Sequence, residues 1–229
     1  AMNHLRNFIP NAIMPYIEVN NESYGGETRK LTVMFASLGI DLSSAKSPEG
    51  MDKIQKIVTT IQKSVYRMEG SLNKLVMDDK GSTLICIWGL PPMAHEDDAT
   101  RAVMAAQMIR DQLNSPEINC WCWIGISTGI VFSGVVGTSG SRKEFSVLGD
   151  VVNVSARIMG KTKEEKGKIF VDMQTIRDAS SFIEFKYVNH FKFKGKSISL
   201  PIYEPIDNGS EFYEQSESYT YNFRWLLKY

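Results

Sequence analysis

The sequence lacks three features that would assign it to common functional classes. It has no continuous apolar stretch of the length that a membrane-spanning helix requires, about 20 residues. It has no excess charge, because lysine plus arginine and aspartate plus glutamate number 26 each. Its first residues, AMNHLRNF, lack the charged-then-apolar order of a signal peptide. We therefore expect a soluble domain with no membrane span and without the basic surface of a nucleic-acid-binding protein.

Cysteine is scarce and odd in number. Cys86, Cys120 and Cys122 are the three cysteines, and each lies among apolar, strand-like residues. This pattern favours buried free thiols over disulfides and indicates a reducing, cytoplasmic location. The C-x-C spacing has no second cysteine or histidine pair, so it does not complete a tetrahedral metal site.

The chain length and composition indicate one globular domain with tails. Apolar residues make up 43% and charged residues 23% of the 229 residues, which excludes a disordered chain. Residues 1–28 are predicted to be a linker that starts with a cloning remnant, Ala1-Met2. The folded domain is predicted at residues 29–206. Residues 207–229 mix acidic and aromatic side chains after a turn and are predicted to form a tail outside the core.

Hydrophobic periodicity predicts an α+β domain. The order of elements is β-α-β-β-α-β, which is typical of a ferredoxin-like sheet covered by helices on one face, with further strands and helices after it. Strands are predicted at residues 30–38, 72–76, 83–88, 118–128, 130–136, 144–148, 168–171 and 184–188 and in the pair around Gly195, and helices at 47–70, 97–113, 151–160 and 173–179.

Two polar residues on the third predicted helix are candidates for chemistry. Asp150 is predicted to cap this helix, and Asn153 and Arg157 are four residues apart on it, so both side chains project from one face. An amide can donate to a sugar or phosphate oxygen, and a guanidinium suits phosphate charge that grows during phosphoryl transfer. The spacing alone fits a solvated helix face equally well or better, since many helices carry such pairs.

A longer motif around these residues resembles a known family. The segment FSVLGDVVNVSAR at residues 145–157, with the preceding TGIVFSGVVG, resembles the signature of class III adenylyl and guanylyl cyclases. The likeness runs from Lys30 to Tyr203 and is strongest to the second cyclase domain of the soluble, bicarbonate-responsive adenylyl cyclases. It implies an adenylate cyclase half that converts ATP to 3′,5′-cyclic AMP and pyrophosphate. It also implies a second cyclase domain as the partner in a pseudo-symmetric heterodimer, and catalytic roles for Asn153 and Arg157.

The chain departs from the family at the metal-binding positions. Ser37 stands where the family's first metal-binding aspartate follows the first strand, and Ser82 stands at the second. A neutral hydroxyl is a poor ligand for Mg²⁺. A different alignment places Asp78 at the second position. We therefore predict no metal site in this chain, and the resemblance implies Mg²⁺ or Mn²⁺ bound mainly by the partner domain; Asp41, Asp78 and Asp79 are then solvated loop residues.

Substrate binding is assigned to three residues by the resemblance. Lys74 matches the position that contacts adenine N1, and a lysine can only donate, which suits adenine and not guanine. Ser146 matches the position that receives the adenine amino group. Lys194 resembles a position that contacts the triphosphate. Without the resemblance, Lys74 fits an edge-strand lysine that reaches into solvent, and Lys194 fits an exposed lysine beside a glycine turn.

Two alternative functions follow from the same residues. A cyclase-homology domain without activity, acting as a dimerising regulatory module, would also lack the metal carboxylates. Retention of Lys74, Ser146, Asn153 and Arg157 argues against it, because dimerisation needs none of them. A guanylyl cyclase half is the second alternative, and Lys74 disfavours it.

Overall fold

The computed structural model describes residues 26–40, 42–78, 81–136, 144–165, 168–193 and 199–207. These residues form one eight-stranded mixed sheet with helices packed on it. The strands are β1 Glu27–Leu38, β2 Ser71–Asp78, β3 Gly81–Trp88, β4 Cys122–Val136, β5 Glu144–Leu148, β6 Ile169–Asp172, β7 Phe185–Phe191 and β8 Leu200–Pro205. The helices are α1 Pro48–Arg67, α2 Asp98–Leu113, α3 Asp150–Glu164 and α4 Met173–Ala179, with a short 3-10 helix at Leu42–Lys46.

The predicted ferredoxin-like core is confirmed. The first part of the sheet has the strand order β2-β3-β1-β4, and each of these pairs is antiparallel. The sheet continues with β6, which is parallel to β4, and then with β8 and β7, which pair antiparallel. The fold is therefore α+β with the additional C-terminal strands and helices that the sequence predicts.

The helices cover both faces of the sheet, and the expectation of one covered face is wrong. Met34 and Ala36 of β1 point into a core that α1 and α2 share. Leu31 and Val33 point to the other face and pack with Val151 of α3. Successive strand residues alternate between faces, so the nearly continuous apolar run of β1 serves two cores at once.

Strand β4 is one continuous element, whereas the sequence suggested two strands flanking Gly129. β1 pairs with it without interruption from Glu27 opposite Ser133 to Leu38 opposite Cys122. This long register keeps Gly129 within the strand. The first strand also begins earlier than predicted, at Glu27 instead of Lys30.

The ends of two helices show how local sequence sets them. The Ser47 side chain accepts a hydrogen bond from the Gly50 amide at 3.1 Å, and proline occupies the first turn of α1, as the sequence indicates. Helix α3 differs from expectation, because Gly149 is its N-cap and Asp150 is its first residue, with no side-chain cap bond. Asp150 still lies in the first turn, where its negative charge interacts favourably with the helix dipole. α3 also extends to Glu164, beyond the predicted end at Gly160.

None of the helices in the described ranges is long and apolar enough to cross a membrane.

Candidate active site

Helix α3 lies in direct backbone contact with β4. Gly125 has no side chain, and a Cβ atom there would come within 2.2 Å of the Met159 nitrogen and 2.4 Å of the Ser155 carbonyl oxygen. The Thr162 hydroxyl donates to the Ile124 carbonyl at 3.1 Å, which ties the last turns of the helix to the same strand. The close approach of the α3 backbone at Gly125 and the Thr162 hydrogen bond therefore both fix α3 on β4.

Asn153 and Arg157 project away from the sheet. The buried residues of α3 include Val151, Val154 and Ile158, whose spacing defines the face toward the core. Asn153 is exposed and Arg157 is half-buried, and both lie on the opposite side of the helix. Within the described part of the chain neither side chain has a hydrogen-bond or ion-pair partner. An amide and a guanidinium are thus presented together to a ligand or a second molecule.

Lys74 meets an acidic residue that the sequence did not single out. An irregularity between Leu72 and Lys74 shifts the register of β2 against β3. The Lys74 ammonium then lies 3.8 Å from a carboxylate oxygen of Glu144 on β5. Both side chains are about half exposed, so this pair adds little to stability. Its relevance is positional, since it brings the lysine charge next to β5.

Ser146 lies close to this pair. It is two residues beyond Glu144 on β5, so the two side chains share one side of the strand, about 7 Å apart. Ser146 is half-buried and lies opposite Gly134 of β4. The alternate residues Phe145 and Val147 pack on the core beneath α3. β5 therefore carries the carboxylate that pairs with Lys74 and, two residues later, the Ser146 hydroxyl.

The predicted site residues lie on three elements. Lys74 of β2 reaches Glu144 of β5, the strand that also carries Ser146, while Asn153 and Arg157 lie on α3, the helix that begins directly after β5. None of the contacts among the described residues joins Lys74 or Ser146 to these two α3 residues. Lys194 lies outside the described residues.

The two serines at the predicted metal positions face opposite sides of the sheet. Ser37 lies opposite Thr83, and Leu38 lies opposite Ser82, so the two serine side chains alternate onto different faces. Ser82 is fully buried, and its hydroxyl lies 3.3 Å from the Ile40 carbonyl oxygen, to which it donates. In the described ranges there is no group of three or more His, Cys, Asp or Glu residues that could hold a metal ion. Asp41 and Asp79 lie outside these ranges. The described residues do not fit a catalytic metal.

The three cysteines are buried thiols. All three are free and buried, as the sequence predicts. Burial raises the pKa of the Cys86 and Cys120 thiols and raises the pKa of Cys122 to about 12. A buried thiol that stays protonated is a poor nucleophile and a poor metal ligand.

Comparison with known proteins identifies the family. The model of the adenylate and guanylate cyclase catalytic domain matches residues 24–213 of this chain. The chain belongs to this family. It is 31% identical over 156 residues to adenylate cyclase type 10 of Homo sapiens, a match that covers 68% of this chain and 10% of the relative. The chain thus spans about a tenth of the length of that curated relative.

Solved cyclase structures share the fold. A bacterial light-regulated adenylyl cyclase matches with a TM-score of 0.72 and 15% identity, over 89% of this chain and 60% of the other. The guanylate cyclase domain of a protein from Catenaria anguillulae, solved in complex with GTP, matches with a TM-score of 0.65 and 19% identity, over 80% and 100%. Cyclase domains of this family work as dimers on a nucleotide and are generally metal-dependent.

Proposed function

We propose that this chain is the half of an adenylyl cyclase core that binds the purine and stabilises the transition state, while a second cyclase domain supplies the metal ions. One observation carries the proposal. The outward face of α3 presents Asn153 and Arg157 in a chain whose corresponding metal positions are Ser37 and Ser82. Such a chain retains groups that act on the substrate and lacks groups that hold Mg²⁺ or Mn²⁺.

Arg157 is proposed to stabilise charge on the α-phosphate as the ribose 3′ oxygen attacks, and Asn153 to orient the ribose. A guanidinium stays protonated at any physiological pH, and its planar donors match phosphate oxygens. Arg157 is half-buried, and partial burial limits the number of conformations that a side chain must lose on binding. A positive charge placed before the reaction starts needs no reorganisation when negative charge develops.

Lys74 and Ser146 are proposed to select adenine. The Lys74 ammonium donates to adenine N1, and the Ser146 hydroxyl accepts from the adenine amino group. The Glu144 carboxylate lies 3.8 Å from the ammonium, on the strand that also carries Ser146. Guanine would present a donor at N1, where the lysine also donates, so it should bind less well. Lys194 is proposed to contact the triphosphate.

A second cyclase domain, in the same polypeptide or another, is proposed to complete the site as a pseudo-symmetric heterodimer. Three large apolar side chains on β4 and β5 are exposed, Ile130 at 62%, Val136 at 42% and Leu148 at 54%. Apolar residues exposed on neighbouring strands favour contact with another protein surface. We propose that this assembly is cytoplasmic. Its three thiols are free, which is typical of proteins in a reducing compartment.

Reconstitution tests this proposal. The chain alone, with ATP and either Mg²⁺ or Mn²⁺, should form essentially no cyclic AMP. Mixed with a cyclase domain that retains both metal aspartates, it should form cyclic AMP in proportion to the amount of complex. Robust turnover by the chain alone would contradict the assignment of the metal site to the partner.

A second candidate is a cyclase-homology domain that only dimerises. The specific observation in its favour is the lack of a described metal-binding cluster. This alternative predicts that the chain binds its partner but that cyclic AMP formation does not depend on Arg157. Guanylyl cyclase activity is the third candidate, since a protein with the same fold was solved with GTP. Comparing kcat/KM for ATP and for GTP in the reconstituted pair distinguishes it from adenylyl cyclase activity.

A further inference from the structure

Helix α3 lies on three small residues of β4. An added Cβ would come within 2.2 Å of the α3 backbone at Gly125 and within 2.8 Å of the Val151 side chain at Gly129. Ser127 lies between the two glycines, and alternate residues of a strand point to the same face of a sheet. The Ser127 side chain therefore points toward α3, and the residue is only 1% exposed. A buried hydroxyl thus lies beneath the helix that carries the candidate catalytic residues.

The partner of this hydroxyl is a carboxylate at the end of β6. Ser127 donates a hydrogen bond to an Asp172 oxygen at 2.5 Å. Asp172 is two residues beyond Phe170 on β6, and Phe170 packs with Val154 and Ile158 of α3. The Asp172 side chain therefore lies on the same face of the sheet as α3. The hydrogen bond joins β4 to β6 beneath the helix.

The other oxygen of the same carboxylate caps α4. It accepts from the Thr175 amide at 2.8 Å and from the Thr175 hydroxyl at 2.7 Å. This is the ordinary way in which an aspartate caps a helix. The hydrogen bond from Ser127 goes to the opposite oxygen and adds nothing to the cap, so capping does not explain it.

The carboxylate depends on these donors because it is largely removed from water. Ser127 and Thr175 are buried, whereas Asp172 keeps some contact with solvent. Burial raises the pKa of Asp172, and the hydrogen bonds from Ser127 and Thr175 act in the opposite direction. A buried polar atom that loses its partner must find another one or admit water. Without the Ser127 hydroxyl, this rearrangement would occur directly under α3.

We propose that Asp172, through its hydrogen bond with Ser127, is a positioning residue for α3 and hence for Asn153 and Arg157. The bond ties together β4 and β6, two of the strands that α3 packs against. The catalytic part of this inference rests on the proposed cyclase function. The position of α3 can also be measured in the chain alone, without any activity.

Thr128 offers a matched control. It is next to Ser127 in β4 and is also buried, but its hydroxyl points to the opposite face of the sheet. There it lies 3.0 Å from the Thr32 hydroxyl and 2.9 Å from the Thr175 hydroxyl. Thr128→Val removes this hydroxyl and keeps the backbone amide, which also donates to Asp172. It should lower stability without disturbing α3.

Two measurements test the proposal. In the reconstituted pair, Ser127→Ala should lower kcat about tenfold and change KM by less than about twofold, because displaced α3 groups act chiefly on the transition state. In the chain alone, the α3 amides of this variant should exchange with solvent about tenfold faster than in the wild type. Thr128→Val should lower the urea midpoint but leave kcat and α3 exchange unchanged.

Variants of the carboxylate separate hydrogen bonding from helix capping. Asp172→Asn should retain kcat and α3 protection, since an amide can accept from Thr175 and donate to Ser127. Asp172→Ala should be at least as slow as Ser127→Ala, and the double variant S127A/D172A should be no slower than D172A, because both changes remove one contact. If Asp172→Ala does not fold, as checked by circular dichroism, Ser127→Ala and Asp172→Asn decide.

Three results would overturn the proposal. Ser127→Ala could keep both the wild-type kcat and the wild-type exchange of α3. Thr128→Val could slow the reaction as much as Ser127→Ala, which would show a general effect of lower stability. Asp172→Asn could be as slow as Asp172→Ala, which would show that the hydrogen bonds are not the cause. If instead the wild-type pair forms no cyclic AMP, the proposed function fails, and exchange at α3 still decides the positioning role.

Discussion

Replacing Gly125 with alanine tests how closely the helix of the candidate site is tied to the sheet. The added Cβ would lie 2.2 Å from the Met159 nitrogen and 2.4 Å from the Ser155 oxygen, and both are backbone atoms that cannot rotate away. Restoring ordinary contact requires α3 to move by about 1 Å, and overpacking of this kind typically costs about 1 to 3 kcal/mol. Urea denaturation should therefore show a lower midpoint with an unchanged slope.

The same displacement should affect catalysis in a reconstituted pair. Because Asn153 and Arg157 are on α3, a shift of about 1 Å should lower the rate by on the order of 10²-fold. Gly160→Ala is the matched control, since it lies in the same helix with nothing within 4 Å of the added Cβ. It should stabilise the protein by about 0.5 to 1 kcal/mol through helix propensity. If Gly125→Ala unfolds at the wild-type midpoint with full activity, the reasoning about the β4–α3 contact is wrong.

Three further predictions concern individual side chains. Arg157→Ala in the reconstituted pair should lower kcat about 10²- to 10³-fold with a smaller change in KM, because the guanidinium is proposed to act on charge in the transition state. An unchanged kcat would show that the residue is only part of the helix surface. The double variant K74E/S146C should lower kcat/KM for ATP relative to kcat/KM for GTP, since each polar group of adenine left unpaired costs about 1 to 3 kcal/mol. If an active variant shows the same preference as the wild type, base recognition lies elsewhere. Burial raises the pKa of Asp98 from 3.8 to about 6, so the folded state holds this proton more tightly and the carboxyl costs stability as pH rises through that interval. Asp98→Asn should therefore raise the free energy of unfolding relative to wild type above pH 6 but not below pH 4, by on the order of 1 kcal/mol because the group is partly exposed, and urea denaturation at the two pH values measures the difference.

Local sequence patterns predicted the individual elements well. Ser47-Pro48 and the apolar spacing that follows define the start and the buried face of α1, and the structure has both. These features depend on residues within one or two helical turns, which the sequence displays directly. Asn153 and Arg157 likewise share one exposed face of α3, because helix periodicity alone sets their direction.

Features that depend on distant residues were harder to predict. The contact between Lys74 and Glu144 joins residues 70 positions apart, and it depends on the register shift in β2 and on how β5 packs over the sheet. The sequence predicts a break at Gly129, but the pairing of Gly129 with Leu31 of β1 keeps it inside β4. The apolar run in β1 could have predicted that both faces of the sheet are covered. A strand that is buried on both faces has a nearly continuous run of apolar residues.

Strand parity explains why the two serines do not form a site together. The positions of Ser37 and Ser82 in the sequence do not show which face of the sheet each side chain is on. The pairing of β1 with β3 places the two side chains on opposite faces. Ser82 is also engaged with the Ile40 carbonyl inside the core. A carboxylate at position 82 would be buried in place of this hydroxyl, so replacing both serines with aspartate would not by itself create a metal site.

Complementation of a defective partner tests the central claim most directly. The partner is a homodimeric cyclase domain that retains both metal aspartates but has alanine at its own positions equivalent to Asn153 and Arg157, so that it is inactive alone. Cyclic AMP formation is measured after adding this chain, at concentrations where complex formation is confirmed by sedimentation. The account predicts that the wild-type chain restores activity and that the N153A/R157A chain binds equally well but restores none. Complex formation without any cyclic AMP, or equal rescue by both chains, would contradict it.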